Sequence, residues 1–231
     1  TDLADYGQIA HDGTYLWVTE PASENLVQLN GSTLAVVTTH SLTGVSPSAI
    51  AYDSTTGDIF FSDINSFVYE IVRWNISGTS ETWRVSSTAQ VSYIAVRGSL
   101  VFATCNDGKL RVFAVSDGAS VITHNGTASG PQTFPLLGSD VLCYLQVPSV
   151  GNCVETFNTS TGALVKRVKL PYSGLLGGVD GTDIWVSYAV GDFSDYDSRA
   201  YELGSDFSGY SAKIYQISST VGRGYPATIS L

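Results

Sequence analysis

One phrase, a glycine turn running into a hydrophobic strand, returns five times in this chain and limits what it can fold into. The copies are Gly13-Thr-Tyr-Leu-Trp17, Gly57-Asp-Ile-Phe-Phe61, Gly98-Ser-Leu-Val-Phe102, Gly138-Ser-Asp-Val-Leu142 and Gly181-Thr-Asp-Ile-Trp185. Their glycines are spaced by 44, 41, 40 and 43 residues. Ile9-Ala10, Ile50-Ala51 and Ile94-Ala95 stand upstream of the first three turns. An apolar strand therefore enters each turn and an aromatic strand leaves it.

Within each copy, β-branched and aromatic residues come in short runs bounded by Gly, Asn, Asp and Ser, without sustained helical periodicity. The first copy reads "QIAH", "YLWVT", "NLVQLN" and "LAVVTTHSL". Four strands per repeat at a period of about 40–45 residues is the pattern of a propeller blade, a small twisted sheet that buries its faces only against its neighbours. The expected fold is thus all-β, a five-bladed β-propeller of four-stranded antiparallel blades. It is one domain over 1–231, with blades at about 5–43, 44–87, 88–126, 127–170 and 171–231. In the fifth blade "SAKIYQIS" and "YPATISL" are read as the outer two strands.

"LWVTEPASENLVQLNGSTLAVV" and "LCYLQVPSVGNCVETFNTSTGALVKRV", in the first and fourth blades, resemble the YVTN and NHL-like propeller repeats. The resemblance extends to all five copies at the level of fold and is closest in these two. It implies architecture and little about activity, because function lives in sites placed on the fold.

Eleven basic residues against twenty-one acidic ones give a net charge of −10. Such a chain repels nucleic acid and anionic lipid. No apolar run approaches the roughly 20 residues of a membrane-spanning helix, so no span is expected. Only 14% of residues are charged. With thirteen Tyr, four Lys and six Glu, the composition fits a contact surface, the alternative being a surface kept soluble by glycans, abundant Ser and Thr and the net charge.

Antiparallel meanders place the first and third turns of each blade at one end. Asn30, Asn75 and Asn158 open Asn-X-Ser sequons at the third turns of blades one, two and four, and Asn125 opens a fourth sequon after blade three. N-glycosylation in a secretory route, hence a secreted, extracellular protein, is expected from them, with ordinary turn chemistry as the alternative. The opposite end is expected to carry one long loop, 191–210, holding Asp192, Phe193, Asp195, Tyr196, Asp197, Tyr201, Glu202, Asp206, Phe207 and Tyr210. A loop of that length and composition is read as a binding site for a protein partner or a glycan, with Ca2+ as a candidate cofactor at Asp192, Asp195 and Asp197. Glu20, Glu24, Asp63 and Asp107 are its neighbours at that end. The competing reading is an irregular loop folded onto its own blade.

Cys143 and Cys153 fall just inside the second and third strands of blade four, where antiparallel pairing sets them roughly opposite, so a disulfide is expected there. Cys105 is left as a small buried hydrophobe; an all-reduced core is the alternative. His11, His40 and His124 lie in different blades without ligand spacing and are read as turn or surface residues. The inner strands carry no carboxylate, and Asp12, Asp53 and Asp180 stand at inner-turn ends. The leading functional reading is a secreted, non-enzymatic interaction or structural module, self-assembling into an extracellular polymer or matrix. Strand addition by "RGYPATISL", 223–231, is one route to that assembly. The alternatives are a hydrolase or lyase with its site at the acidic loop, and a glycan-binding lectin.

Overall fold

The computed structural model describes residues 7–65, 69–125, 136–137, 140–147, 151–169, 175–180, 183–190, 197–203 and 215–217, and side chains within 7–65, 69–125, 153 and 155–167. Among the described residues the chain forms five four-stranded antiparallel sheets, each in up-and-down order. The first comprises β1 (Ile9–His11), β2 (Tyr15–Glu20), β3 (Asn25–Asn30) and β4 (Val36–Ser41). The second comprises β5 (Pro47–Asp53), β6 (Asp58–Asp63), β7 (Glu70–Asn75) and β8 (Ser80–Ser86). The third holds β9 (Val91–Arg97), β10 (Leu100–Cys105), β11 (Leu110–Ala114) and β12 (Ser120–His124). The fourth holds β13 (Leu136–Leu137), β14 (Asp140–Val147), β15 (Gly151–Asn158) and β16 (Leu164–Lys169). The last holds β17 (Leu175–Asp180), β18 (Asp183–Val190), β19 (Asp197–Leu203) and β20 (Tyr215–Ile217). The fold is all-β and of the β-propeller class.

The repeated phrase is the β1–β2 turn and its equivalents. Gly13, Gly57 and Gly98 have φ of 99, 75 and 58°, a backbone that side chains with a Cβ rarely adopt. Strand alternation then sends successive residues to opposite faces. In the first sheet Trp17 and Leu26 face the second sheet, joining Ile50, Ile59, Phe61 and Val72 in one buried cluster. Val18, Val27 and Leu29 form a separate cluster on the far face. Phe60, Ile71, Val101 and Phe113 pack the seam between the second and third sheets, and Phe102, Val112, Cys153 and Phe157 the next. Each fully buried aromatic or branched side chain contributes about 1.5–3 kcal/mol.

Polar groups cross the same seams. Thr19 donates its hydroxyl to the Ser48 carbonyl at 2.7 Å. Arg73 and Trp83 both donate to the Val115 carbonyl, each at 3.0 Å. His124 Nε2 donates to the Gly162 carbonyl at 2.8 Å, which fixes its proton on Nε2.

A β-bulge recurs at one place. The pairing of third and fourth strands shifts between Gln28 and Leu29, Arg73 and Trp74, Val112 and Phe113, and Thr156 and Phe157. The extra residues on the outer strands are Val37, Thr82, Val121 and Val165.

Four expectations are corrected. The stretch 191–210 is not one loop, because residues 197–203 pair with β18 from Ile184↔Leu203 to Val190↔Asp197. Paired over seven positions, the Asp and Glu of this segment are accommodated in a strand despite their low strand propensity. "SAKIYQIS" supplies the fourth strand, at Tyr215–Ile217, rather than the third, and 223–231 lies outside the described residues. Cys143 and Cys153 are not opposite: Cys143 faces Glu155, and Cys153 faces Leu145. They are diagonal neighbours, typically about 7–8 Å apart, beyond the roughly 3.5–4.5 Å Cβ separation of a disulfide. The fourth corrected expectation concerns the inner strands, two of which, β5 and β17, end on carboxylates, Asp53 and Asp180.

Candidate functional site

The sheets present two ends, and at both the polar side chains hold turns. At the glycine-turn end, Asp12 accepts from the Thr14 and Tyr15 amides at 2.8 and 2.6 Å and from Trp17 Nε1 at 2.8 Å. Burial opposes ionisation of Asp12, but these hydrogen bonds outweigh it and lower its pKa. Asp53 accepts from the Thr55 and Thr56 amides and the Thr56 hydroxyl. Buried Asp58 is paired with Arg73 Nε at 2.7 Å.

The sequon asparagines do the same work in the third turns. Asn30 Oδ1 accepts from the Ser32 and Thr33 amides at 3.0 and 2.9 Å. Asn158 Oδ1 accepts from the Ser160 and Thr161 amides, each at 2.9 Å. Asn75 Oδ1 accepts from the Gly78 amide and the Ser77 hydroxyl, and its Nδ2 donates to Asp58 at 3.0 Å. All three close Asx-type turns. Asn125 is exposed beyond β12.

At the opposite end Glu24 accepts from the Gly44 amide at 2.7 Å, and Asp63 from Ser46 and Asn65. Arg84 bridges Glu81 and Glu70 at 2.6 and 2.7 Å. Asp107 grips Arg111 with both oxygens, at 2.9 and 2.6 Å, and the guanidinium holds its carboxyl below the usual range. Beside this pair, burial pushes the Cys105 thiol up to about 11, so it packs as an apolar residue in the core.

Of the expected binding residues, Asp197, Tyr201 and Glu202 lie within β19, where the backbone alone is described. Asp192, Phe193, Asp195, Tyr196, Asp206, Phe207 and Tyr210 lie outside the described residues. In the chain, the seven residues of β19 stand between positions 192–196 and 206–210. Among the described residues no group of three or more His, Cys, Asp or Glu converges as a cation site requires. No described helix is long and apolar enough to cross a membrane.

Two histidines read as surface residues stand in seams instead. His40 stacks on Trp17 at 5.7 Å and 22°, with Trp74 of the next sheet edge-on at 6.3 Å. His124 lies 4.6 Å from Phe157. The sequence signal was the tryptophan or phenylalanine just before Asn75 and Asn158, at equivalent places in repeats whose predecessors carry the histidines. Apart from Ile9 on β1, at 61%, the exposed large apolar residues described lie on outer strands or the turn before β4: Leu34, Val36 and Val37 at 63, 48 and 48%, Val121 at 45%, and Leu164 and Val165 at 39 and 46%.

By sequence, no family model and no curated protein matches the chain. Solved structures do match its fold. Hydrazine synthase of Kuenenia stuttgartiensis superposes with a TM-score of 0.70 at 15% identity, over 95% of this chain and 67% of that one. BamB from Moraxella catarrhalis gives 0.62 at 14% identity, over 92% and 65%. The computationally designed Ika8 protein gives 0.60 at 11% identity, over 78% and 54%. The chain thus spans between about half and two thirds of these neighbours' lengths. Hydrazine synthase and BamB are β-propeller folds, and at such identities the likeness carries the fold of this chain and nothing further.

Proposed function

We propose that this chain is a secreted, non-enzymatic five-bladed propeller, built of YVTN/NHL-like repeats, that acts as an interaction module and associates with its own copies in an extracellular assembly. Closure by the fifth sheet is supported by the far face of the first: Val18, Val27 and Leu29 are 2–5% exposed, yet among the described residues their cluster includes none of the second to fourth sheets.

The observation that carries the interaction reading is the recurrence of bulged, half-exposed valines at Val37, Val121 and Val165. A bulge turns its residue outward and interrupts the edge ladder. It guards against indiscriminate strand pairing while leaving an apolar knob on the rim. Contact through knobs is thereby favoured over an added strand such as 223–231. The carboxylates of the described ends support a non-enzymatic role in that they hold turns and ion pairs. Sedimentation velocity over a concentration series tests the reading. A sedimentation coefficient that rises with concentration is expected, and a monomer at every concentration overturns self-association.

A further inference from the structure

Resting on that reading, we propose that the outer strand of the first sheet, β4, with the turn that precedes it, is the surface through which two copies of this chain meet about a two-fold axis. The argument begins with charge. Residues 25–52 contain no Asp, Glu, Lys or Arg, although the chain as a whole stands at −10. Two copies repel wherever their acidic surfaces approach, and this run offers a charge-free approach. The outer strands of the second, third and fourth sheets differ. β8 contains Glu81 and Arg84, with Glu70 and Asp63 beside them. β16 contains Lys166, Arg167 and Lys169, so two β16 edges facing each other bring like charges together. β12 is uncharged, but it follows Asp117, and the turn of the fourth sheet reaches it through the His124–Gly162 hydrogen bond.

The run also carries the most exposed apolar side chain among the described outer edges, Leu34, together with Val36 and Val37. Leu34 holds φ at 59°, in the left-handed region where the equivalent turns of the third and fourth sheets use Gly118 and Gly162. An exposed leucine kept in a costly conformation is accounted for if its side chain is needed at a contact. An isologous contact places the same patch on both partners, so Leu34, Val36 and Val37 of one copy meet those of the other.

Val37→Lys tests this, with Thr82→Lys at the same bulge position of the second sheet as its control. Both replace exposed side chains and both reduce the net negative charge to the same extent. General electrostatic repulsion therefore predicts tighter association for each. The proposed contact predicts that Val37→Lys weakens association at least about tenfold, that Thr82→Lys does not, and that mixing Val37→Lys with Val37→Glu copies restores it. Circular dichroism and thermal midpoints establish that each variant is folded. If the unaltered chain associates and Val37→Lys associates equally well, the β4 surface is wrong while the module reading stands. If the unaltered chain is monomeric throughout, the β4 surface and self-association both fall.

Discussion

His40 and His124 occupy the same register position in two different sheets, His40 opposite Leu26 and His124 opposite Leu110. Each meets an aromatic residue of the following sheet, Trp74 or Phe157. The second sheet has Val85 at that position, opposite Ile71. One location on the repeat thus decides how the outer part of a seam is filled.

Burial lowers the pKa of His40. The unfolded chain takes up a proton near the ordinary histidine pKa of about 6.5, while the folded seam resists it. The stabilisation is therefore complete above about pH 6.5 and is lost as pH falls from there towards the lowered folded value. Thermal midpoints at about pH 7.5 and pH 5.5 should differ more for the native chain than for His40→Phe, which keeps a ring and removes the titration. Equal differences would show that His40 does not contribute to the pH response.

The third turns make a second prediction. The residue four positions after Asn30, Asn75, Ala114 and Asn158 is left-handed in every case: Leu34, Thr79, Gly118 and Gly162, with φ of 59, 48, 73 and 70°. A Cβ on Gly118 would lie 3.0 Å from the Trp83 ring, and that ring is held by its bond to Val115 and its edge contact with Phe60. Gly118→Ala should therefore cost about 1–3 kcal/mol in urea unfolding. Thr79→Gly should be neutral or stabilising by up to about 1 kcal/mol, since relief of left-handed strain opposes the added freedom of the unfolded chain. A larger loss from Thr79→Gly than from Gly118→Ala would contradict this account.

Buried and exposed ion pairs should separate cleanly. Asp58 is 2% exposed, and it accepts from both Arg73 and Asn75. Asp58→Ala leaves both donors without their carboxylate and should cost about 3–5 kcal/mol. Glu81→Ala removes an exposed partner of Arg84 and should cost about 1 kcal/mol or less. Denaturation midpoints of the two variants decide it, and comparable losses would mean that the Asp58 pair is not a cornerstone of the second seam.

The repeat was legible because glycine turns at a fixed period leave a mark that needs no tertiary information. Asn30, Asn75 and Asn158 could likewise be placed at third turns, since turn chemistry is local. What the sequence concealed depended on neighbours. His40 looks like any polar residue in "VVTTHS" until Trp17 and Trp74 close on it. Cys143 and Cys153 are ten positions apart around a hairpin, and a shift of two in the register separates opposite from diagonal. The segment 197–203 carries Asp, Arg and Glu, which read as loop residues until pairing with β18 makes them a strand. The edge knobs escaped for a further reason: the bulge at Val37, like the exposure of β4, leaves no mark in a valine pair.

The sequon asparagines allow a test in which one substitution has opposite consequences at different sites. Asn30 and Asn158 act in their turns through Oδ1, which accepts backbone amides. A carboxylate accepts those amides as well, so Asn30→Asp and Asn158→Asp should leave stability within about 0.5 kcal/mol of the parent, whereas alanine at either place should cost about 1 kcal/mol. Asn75 also donates Nδ2 to Asp58 at 3.0 Å. Asn75→Asp removes that donor and sets a second carboxylate against the buried first one, so it should cost at least about 2 kcal/mol. Urea unfolding of the three variants is the measurement, and equal effects at all three positions would refute the distinction. The same variants examine glycosylation, because each removes its sequon. If the native protein carries glycans at these turns, intact mass should fall by one glycan per variant. A native mass equal to that of the bare polypeptide would leave the asparagines with their turn function alone.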